Sequence, residues 1–123
     1  GLIFSMVAGA TVAFGDICYL KSDGEMHFVD ADAHGTGQAI GMAIEAGSDG
    51  GATKFLFYGF ARDDTWAWTI GAPVYATVTG TSTNTLSQTA PTGSADIVQI
   101  VGIAGPTADM MFFNPALVIV EIA

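Results

Sequence analysis

Short apolar runs separated by turn residues are the feature that most constrains the fold of this chain. The runs are rich in β-branched and aromatic residues, and Gly, Pro, Asn and Asp bound them along the 123 residues. Such runs at intervals of roughly 8 to 12 residues are typical of a β-sandwich or barrel, and hairpins between consecutive runs favour antiparallel pairing. The predicted strands are residues 12–14, 17–20, 26–29, 39–44, 54–58, 66–70, 74–78, 97–104, 110–113 and 117–122.

The residues between these runs fit tight turns. The sequence Ser-Asp-Gly at 22–24 predicts a hairpin with glycine at a positive φ, and residues 48–51 and 71–73 predict similar turns. Residues 31–46 come nearest to a helical pattern, but Gly35, Gly37 and Gly41 within them and Gly47 directly after them lower helix propensity, so we expect loop and strand there. We predict an all-β fold, a compact and mostly antiparallel β-barrel or sandwich of short strands. Residues 9–123 would form a single domain, and the apolar residues 1–8 an N-terminal arm.

The chain carries few charges for its apolar content. Half of its residues are hydrophobic and only 12% are charged, against about 25% in ordinary globular domains. The apolar surplus indicates self-association or docking on a partner. Only three cationic residues and a net charge of −9 argue against nucleic-acid binding and against anionic membrane surfaces. No run approaches the roughly 18 to 20 apolar residues that span a bilayer.

Two carboxylates beside two tryptophans are the nearest approach to an active site. Asp63 and Asp64 precede Trp66 and Trp68, and paired carboxylates near an aromatic platform are typical of glycosidases. Adjacent carboxylates on a strand or turn point in different directions, which disfavours hydrolysis. The tryptophans would share one face of the predicted strand 66–70. There they would either bind a sugar or pack under a loop or at a subunit contact.

Other candidate sites are weaker. A metal would need convergent ligands, whereas His27 lies within a predicted strand, and the aspartates between it and His34 fit a strand leaving the sheet. Cys18 has no basic neighbour to activate its thiol. The glycine-rich residues 35–41 lack both a βαβ frame and a Walker lysine. We therefore predict a protein that is not an enzyme and that binds no metal or cofactor.

Short motifs follow one another over nearly the whole chain, from about residue 8 to residue 121. They are AGATVAFGDICYL (8–20), SDG (22–24), ADA (31–33), IGMA (40–43), GAPVY (71–75), QTAP (88–91) and VQIVGIA (98–104). In order and spacing this set resembles the bacteriophage capsid decoration (cement) proteins and the related β-modules of phage head and tail fibres.

The resemblance implies a β-module that trimerises at three-fold positions on the outer surface of a capsid. There it would bridge subunits of the major capsid protein, with the symmetric oligomer adding avidity. The arm would pair with a neighbour's sheet edge or lie on the capsid. If it instead continues from an upstream domain, it favours the alternative function, a fibre or tail-spike domain that binds a host receptor or glycan. The candidate interface residues, large apolar groups near turns or the terminus, are Phe4, Met6, Phe60, Trp66 and Trp68.

Overall fold

The computed structural model describes residues 1–123, and its regular structure consists of strands alone. The eleven strands are β1 (Leu2–Val7), β2 (Ile17–Leu20), β3 (Met26–Phe28), β4 (Gly41–Ala43), β5 (Ala52–Arg62), β6 (Pro73–Ala76), β7 (Leu86–Ser87), β8 (Ile97–Val98), β9 (Ile100–Ala104), β10 (Met110–Phe113) and β11 (Val120–Glu121). The prediction of an all-β fold is confirmed. No helix is long and apolar enough to cross a membrane.

Nine of the strands form one curled antiparallel sheet that closes into a half-barrel. Its order is β3-β2-β4-β5-β10-β9-β6-β7, and β1 also pairs with β5. The remaining strands, β11 and β8, form a two-stranded sheet. The eleven-residue β5 is the spine of the fold, because β1 pairs along residues 52–58 and β10 along residues 59–62.

The hydrophobic core has two parts, one on each side of the first half of β5. A cluster of fourteen buried residues includes Leu56, Met111 and Phe113. A second cluster of six buried residues includes Cys18 and Phe55. Neighbouring residues of a strand point to opposite faces, so Phe55 and Leu56 enter different clusters and this part of β5 is covered on both sides.

A bulge in β5 changes which side chains point outward. Leu2 is opposite Tyr58 and Ile3 is opposite Leu56, which leaves Phe57 as an extra residue on β5. Gly59 follows with a φ of +142°, a conformation that residues with a Cβ rarely adopt. Beyond the bulge Phe60 is exposed, while Ala61 belongs to the fourteen-residue cluster.

The predicted turns agree with the structure. Residues 22–24 lie in the β2–β3 hairpin, and Gly24, Gly50 and Gly71 all have a φ of +84°. The segment 31–46 contains β4 and otherwise irregular backbone, as expected from its glycines.

Several segments differ from the strand predictions. Residues 12–14 form no strand and make only a single bridge, between Val12 and Gly47. Of the predicted strand 117–122, only residues 120–121 are a strand. Residues 66–70 are not a strand, since the backbone N–H of Trp66 bonds to the carbonyl of Asp63 and that of Trp68 to the carbonyl of Ala108. The predicted strand 97–104 divides into β8 and β9 around Gln99. Within the predicted arm 1–8, residues 2–7 form β1 and pair with β5 of the same chain.

Candidate functional site

A pocket lies beside the two tryptophans, with a volume of about 220 Å³. The ring centroids of Trp66 and Trp68 are 5.6 Å apart, and the ring of Phe14 is 6.3 Å from that of Trp66. Leu86 completes the apolar part of the lining. The tryptophans thus come together as predicted, but through an irregular segment and not through one face of a strand.

Buried hydrogen bonds to Asp16 hold the loops that form the pocket wall. The fully buried Asp16 carboxylate accepts from the Ala13 backbone N–H at 2.9 Å, from the Thr83 backbone N–H at 2.7 Å and from the Ser82 hydroxyl. Thr83 has a φ of +67°, and these bonds hold it in that conformation. Asp16 therefore holds residues 13–16 against the loop 82–83. Because its carboxylate already accepts three hydrogen bonds from the protein, it has little capacity left to bind a ligand.

Two polar groups of the pocket have unused hydrogen-bonding capacity. The indole N–H of Trp68 is buried and has no hydrogen-bond partner. One carboxylate oxygen of Asp63 accepts from both the backbone N–H and the hydroxyl of Thr65, and its other oxygen has no protein partner. The Trp68 N–H has almost no accessible surface, so it is the free Asp63 oxygen beside the aromatic rings that can accept a hydrogen bond from a hydroxyl group of a small ring.

The neighbouring carboxylates do not converge with Asp63. Asp64 is exposed and forms an ion pair with Arg62 at 3.0 Å, and Arg62 also contacts Asp109 at 2.8 Å. Hydrogen bonds from the Thr107 hydroxyl and from Arg62 lower the pKa of Asp109, and the same acidic neighbours raise the pKa of Arg62. Asp63 and Asp64 thus have separate partners, in agreement with the argument that adjacent carboxylates point apart.

The residues considered for metal and thiol chemistry lie apart. His27 contacts Asp23 at 3.2 Å, and no group of three or more His, Cys, Asp or Glu side chains is arranged to hold a metal. The pKa of Asp23 is lowered by the backbone N–H of Glu25 and by His27, while burial raises the pKa of Asp30. Burial and the charge of Asp16 raise the pKa of the Cys18 thiol to about 12, so this thiol is neutral at pH 7.

A second candidate site is an apolar surface on the outside of the sheet, formed by Tyr58, Phe60, Ile103 and Phe112, which we call the aromatic face. Phe60 is directly opposite Phe112, and Phe112 is opposite Ile103. The ring of Phe112 lies 5.2 Å from that of Tyr58 and 5.1 Å from that of Phe60. Phe60 is 60% exposed and Tyr58 51% exposed. At about 200 Å² per aromatic side chain, these two alone leave about 200 Å² of surface uncovered.

The five predicted interface residues fall in three places. Phe4 is exposed on β1, whereas Met6 is half-buried against the six-residue cluster. Phe60 lies on the aromatic face, and Trp66 and Trp68 are half-buried beside the pocket.

Sequence reasoning missed the other members of the aromatic face. The alternation of β5 around Phe60 could have indicated Tyr58. Phe112 and Ile103 are brought there by the pairing of β5 with β10 and β9, which no local pattern reveals.

Comparisons of this chain with protein families, with curated proteins and with solved structures find no match.

Proposed function

We propose that this protein is a structural module of a phage virion, which decorates the outside of the capsid at three-fold positions as a homotrimer. In this role it binds the major capsid protein and stabilises the head without catalysis. The observation that carries the proposal is the aromatic face. Exposed apolar patches of a few hundred Å² on a soluble domain commonly mark contacts with other proteins, and Tyr and Phe are enriched in the centres of such contacts.

The charge distribution also supports this function. Of the few cations in the chain, Arg62 is engaged by Asp64 and Asp109, so the surface remains strongly acidic. An acidic coat repels packaged DNA and suits a protein that faces solvent outside the shell. Of the two carboxylates that line the pocket, Asp16 is engaged by three protein donors. The motif resemblance points to the same class of protein.

The test combines the oligomeric state with binding to heads. The purified protein should sediment in multiples of three and co-sediment with undecorated heads of the phage that encodes it. Phe60→Glu should abolish the trimer, because it places a charge in the middle of the aromatic face. Leu20→Glu is the matched control, since Leu20 is similarly exposed on β2, at a distance in the sheet order. A protein that stays monomeric at all concentrations and does not bind heads would rule out the proposal.

A second candidate function is glycan recognition by a fibre or tail-spike module. The specific observation in its favour is the pocket, where the free Asp63 oxygen lies beside the tilted aromatic rings of Trp66 and Trp68. Its volume of about 220 Å³ suits a single sugar ring.

Glycan-array binding tests this candidate. Trp66→Ala and Asp63→Asn should each remove binding, whereas Phe60→Glu should leave it unchanged because Phe60 lies outside the pocket. Binding that survives both pocket substitutions would exclude the pocket as the sugar site.

A further inference from the structure

Three aromatic rings and two carboxylates line the pocket beside the tryptophans. The rings are those of Phe14, Trp66 and Trp68, and the carboxylates are those of Asp16 and Asp63. None of the three cationic residues of the chain is part of the lining. Aromatic faces attract positive charge, and carboxylates strengthen that attraction. The lining is therefore complementary to a cation.

The three rings form a bent wall and not a stack. The ring planes of Trp66 and Trp68 are tilted by 44° with centroids 5.6 Å apart, and those of Phe14 and Trp66 by 39° with centroids 6.3 Å apart. A cation is attracted to an aromatic ring from within about 6 Å of its centroid, most strongly to Trp. Because the centroids are so close together, one positive group in the pocket can interact with more than one ring.

Both carboxylates of the lining lack a cationic partner. Asp16 and Asp63 accept hydrogen bonds only from backbone N–H and hydroxyl groups, and neither forms an ion pair. Asp64 and Asp109, by contrast, share Arg62 outside the pocket. A buried or half-buried charge without a counter-charge is unfavourable, so a cation bound in the pocket would offset the charge of the two lining carboxylates.

The hydrogen-bonding groups of the pocket decide which kind of cation fits. The Thr65 hydroxyl donates to Asp63 at 2.7 Å, and the Thr85 hydroxyl accepts from the Ile17 N–H at 3.0 Å. Since Asp16 is also engaged, the second oxygen of Asp63 is the free carboxylate acceptor. A primary ammonium has three N–H donors, and a donor that loses water without gaining a partner weakens binding. A trimethylammonium group has positive charge and no N–H donor, so it needs no such partners.

We propose that this pocket binds a trimethylammonium group, such as that of choline, with its methyl groups against the three rings and its charge beside Asp63. The volume of about 220 Å³ is sufficient, because a cavity of about 150 Å³ holds a benzene ring. The inference goes beyond the proposed virion function, since it requires neither the trimer nor a capsid. The neutral sugar ring of the second candidate function is the competing occupant of the same pocket.

Tryptophan fluorescence reports directly on this site, because Trp66 and Trp68 are the two tryptophans of the chain. The purified protein is titrated with choline chloride and, separately, with the uncharged tert-butyl analogue of choline, in which carbon replaces the nitrogen. Sodium chloride at the same concentrations corrects for ionic strength. We expect a saturable change of emission with choline, and a dissociation constant about tenfold or more higher for the neutral analogue.

Asp63→Asn and Asp64→Asn are a matched pair of variants. Asparagine at 63 keeps an oxygen that can accept from Thr65, so the local turn is retained while the charge is removed. We expect Asp63→Asn to raise the dissociation constant of choline about fivefold. Asp64 is exposed and paired with Arg62 outside the pocket, so Asp64→Asn should change it by less than about twofold.

Removal of a ring provides a second measurement. Trp66→Leu should raise the dissociation constant of choline about tenfold, with Trp68 as the remaining reporter and a circular dichroism spectrum to show that the variant folds. Phe60→Glu should bind choline like the wild type, because Phe60 lies outside the pocket. Failure of the trimer and failure of this inference are thereby distinguishable.

Three results would overturn the inference. Equal affinity for choline and for its neutral analogue would show that the positive charge is not recognised. No change of emission at about 100 mM choline would show that the pocket does not bind this group. A neutral monosaccharide that binds where choline does not would assign the pocket to the second candidate function.

Discussion

The buried side chain of Gln99 should contribute several kcal/mol to the stability of this fold. It lies fully buried between β8 and β9. Its amide accepts from the Ala39 N–H at 2.7 Å and donates to the Ala39 carbonyl at 2.8 Å and to the Ala116 carbonyl at 2.9 Å. One side chain thus joins the segment before β4 and the segment after β10 to the interior of the sheet.

Gln99→Met keeps the length and most of the volume of the side chain but removes all three bonds. Each buried backbone group that loses its partner costs about 1–3 kcal/mol, and Ala39 has two such groups while Ala116 has a part-buried third. We expect the free energy of unfolding to fall by about 4 kcal/mol, a large part of the 5–15 kcal/mol typical of a domain. Urea unfolding followed by tryptophan fluorescence measures this difference.

Gln88→Met is the matched control for this experiment. The Gln88 amide bonds to the backbone N–H and C=O of Thr69 in the same manner, but at an exposed position. Water can replace the hydrogen bonds of the Gln88 amide, so we expect Gln88→Met to lower the free energy of unfolding by less than about 1 kcal/mol. If Gln99→Met and Gln88→Met lower the free energy of unfolding equally, burial of the unpaired backbone groups does not explain the destabilisation and the reasoning fails.

Three further outcomes follow from the structure. Gly102→Ala should destabilise the protein by about 2 kcal/mol or more in urea unfolding, because its Cβ would lie 2.3 Å from the Phe112 carbonyl oxygen. Gly35→Ala, with open space around it, should stay within about 0.5 kcal/mol of the wild type. The pKa of Asp109 lies below its ordinary 3.8 in the folded state, so its stabilising effect is present above pH 4 and is lost as the pH falls further. Asp109→Asn should therefore flatten the acid limb of a stability–pH curve, and an unchanged limb would contradict this assignment. Cys18, with a thiol pKa of about 12, should resist a thiol reagent at pH 7 until urea unfolds the protein; rapid labelling of the folded protein would be the contrary result.

The parts of the fold that the sequence predicts well are those governed by local rules. Residues 17–20 and 110–113 have the predicted strand bounds, because compact apolar runs lie between turn residues. Gly24, Gly50 and Gly71 take the positive φ expected of them. In these segments the turn residues and the apolar pattern predict the same structure, and tertiary contacts leave that structure unchanged.

The parts of the fold that the sequence predicts poorly depend on contacts between residues that lie far apart in the chain. The segment 66–70 has the aromatic alternation of a strand, but the Asp63–Thr65 turn and the bond from Trp68 to Ala108 hold it in an irregular course. The strand Leu86–Ser87 has too little apolar content to be recognised. The pocket could be predicted only as a pair of tryptophans, because Asp16 enters its wall through bonds to residues more than sixty positions away.

The composition of β5 links the fold to the contact proposed at the aromatic face. Between residues 55 and 60 every residue except Gly59 is aliphatic or aromatic, a continuous run typical of strands buried on both faces. Within one copy of the chain, other residues cover both faces of β5 only around Phe55 and Leu56, which belong to the two core clusters. Past the bulge, the outward side chains Tyr58 and Phe60 contact Phe112 but remain more than half exposed. If a second molecule covers them in the assembled state, amide hydrogen exchange at residues 58–62 should slow on assembly and should remain fast in Phe60→Glu. Equal exchange rates in both would mean that the assembly uses another surface.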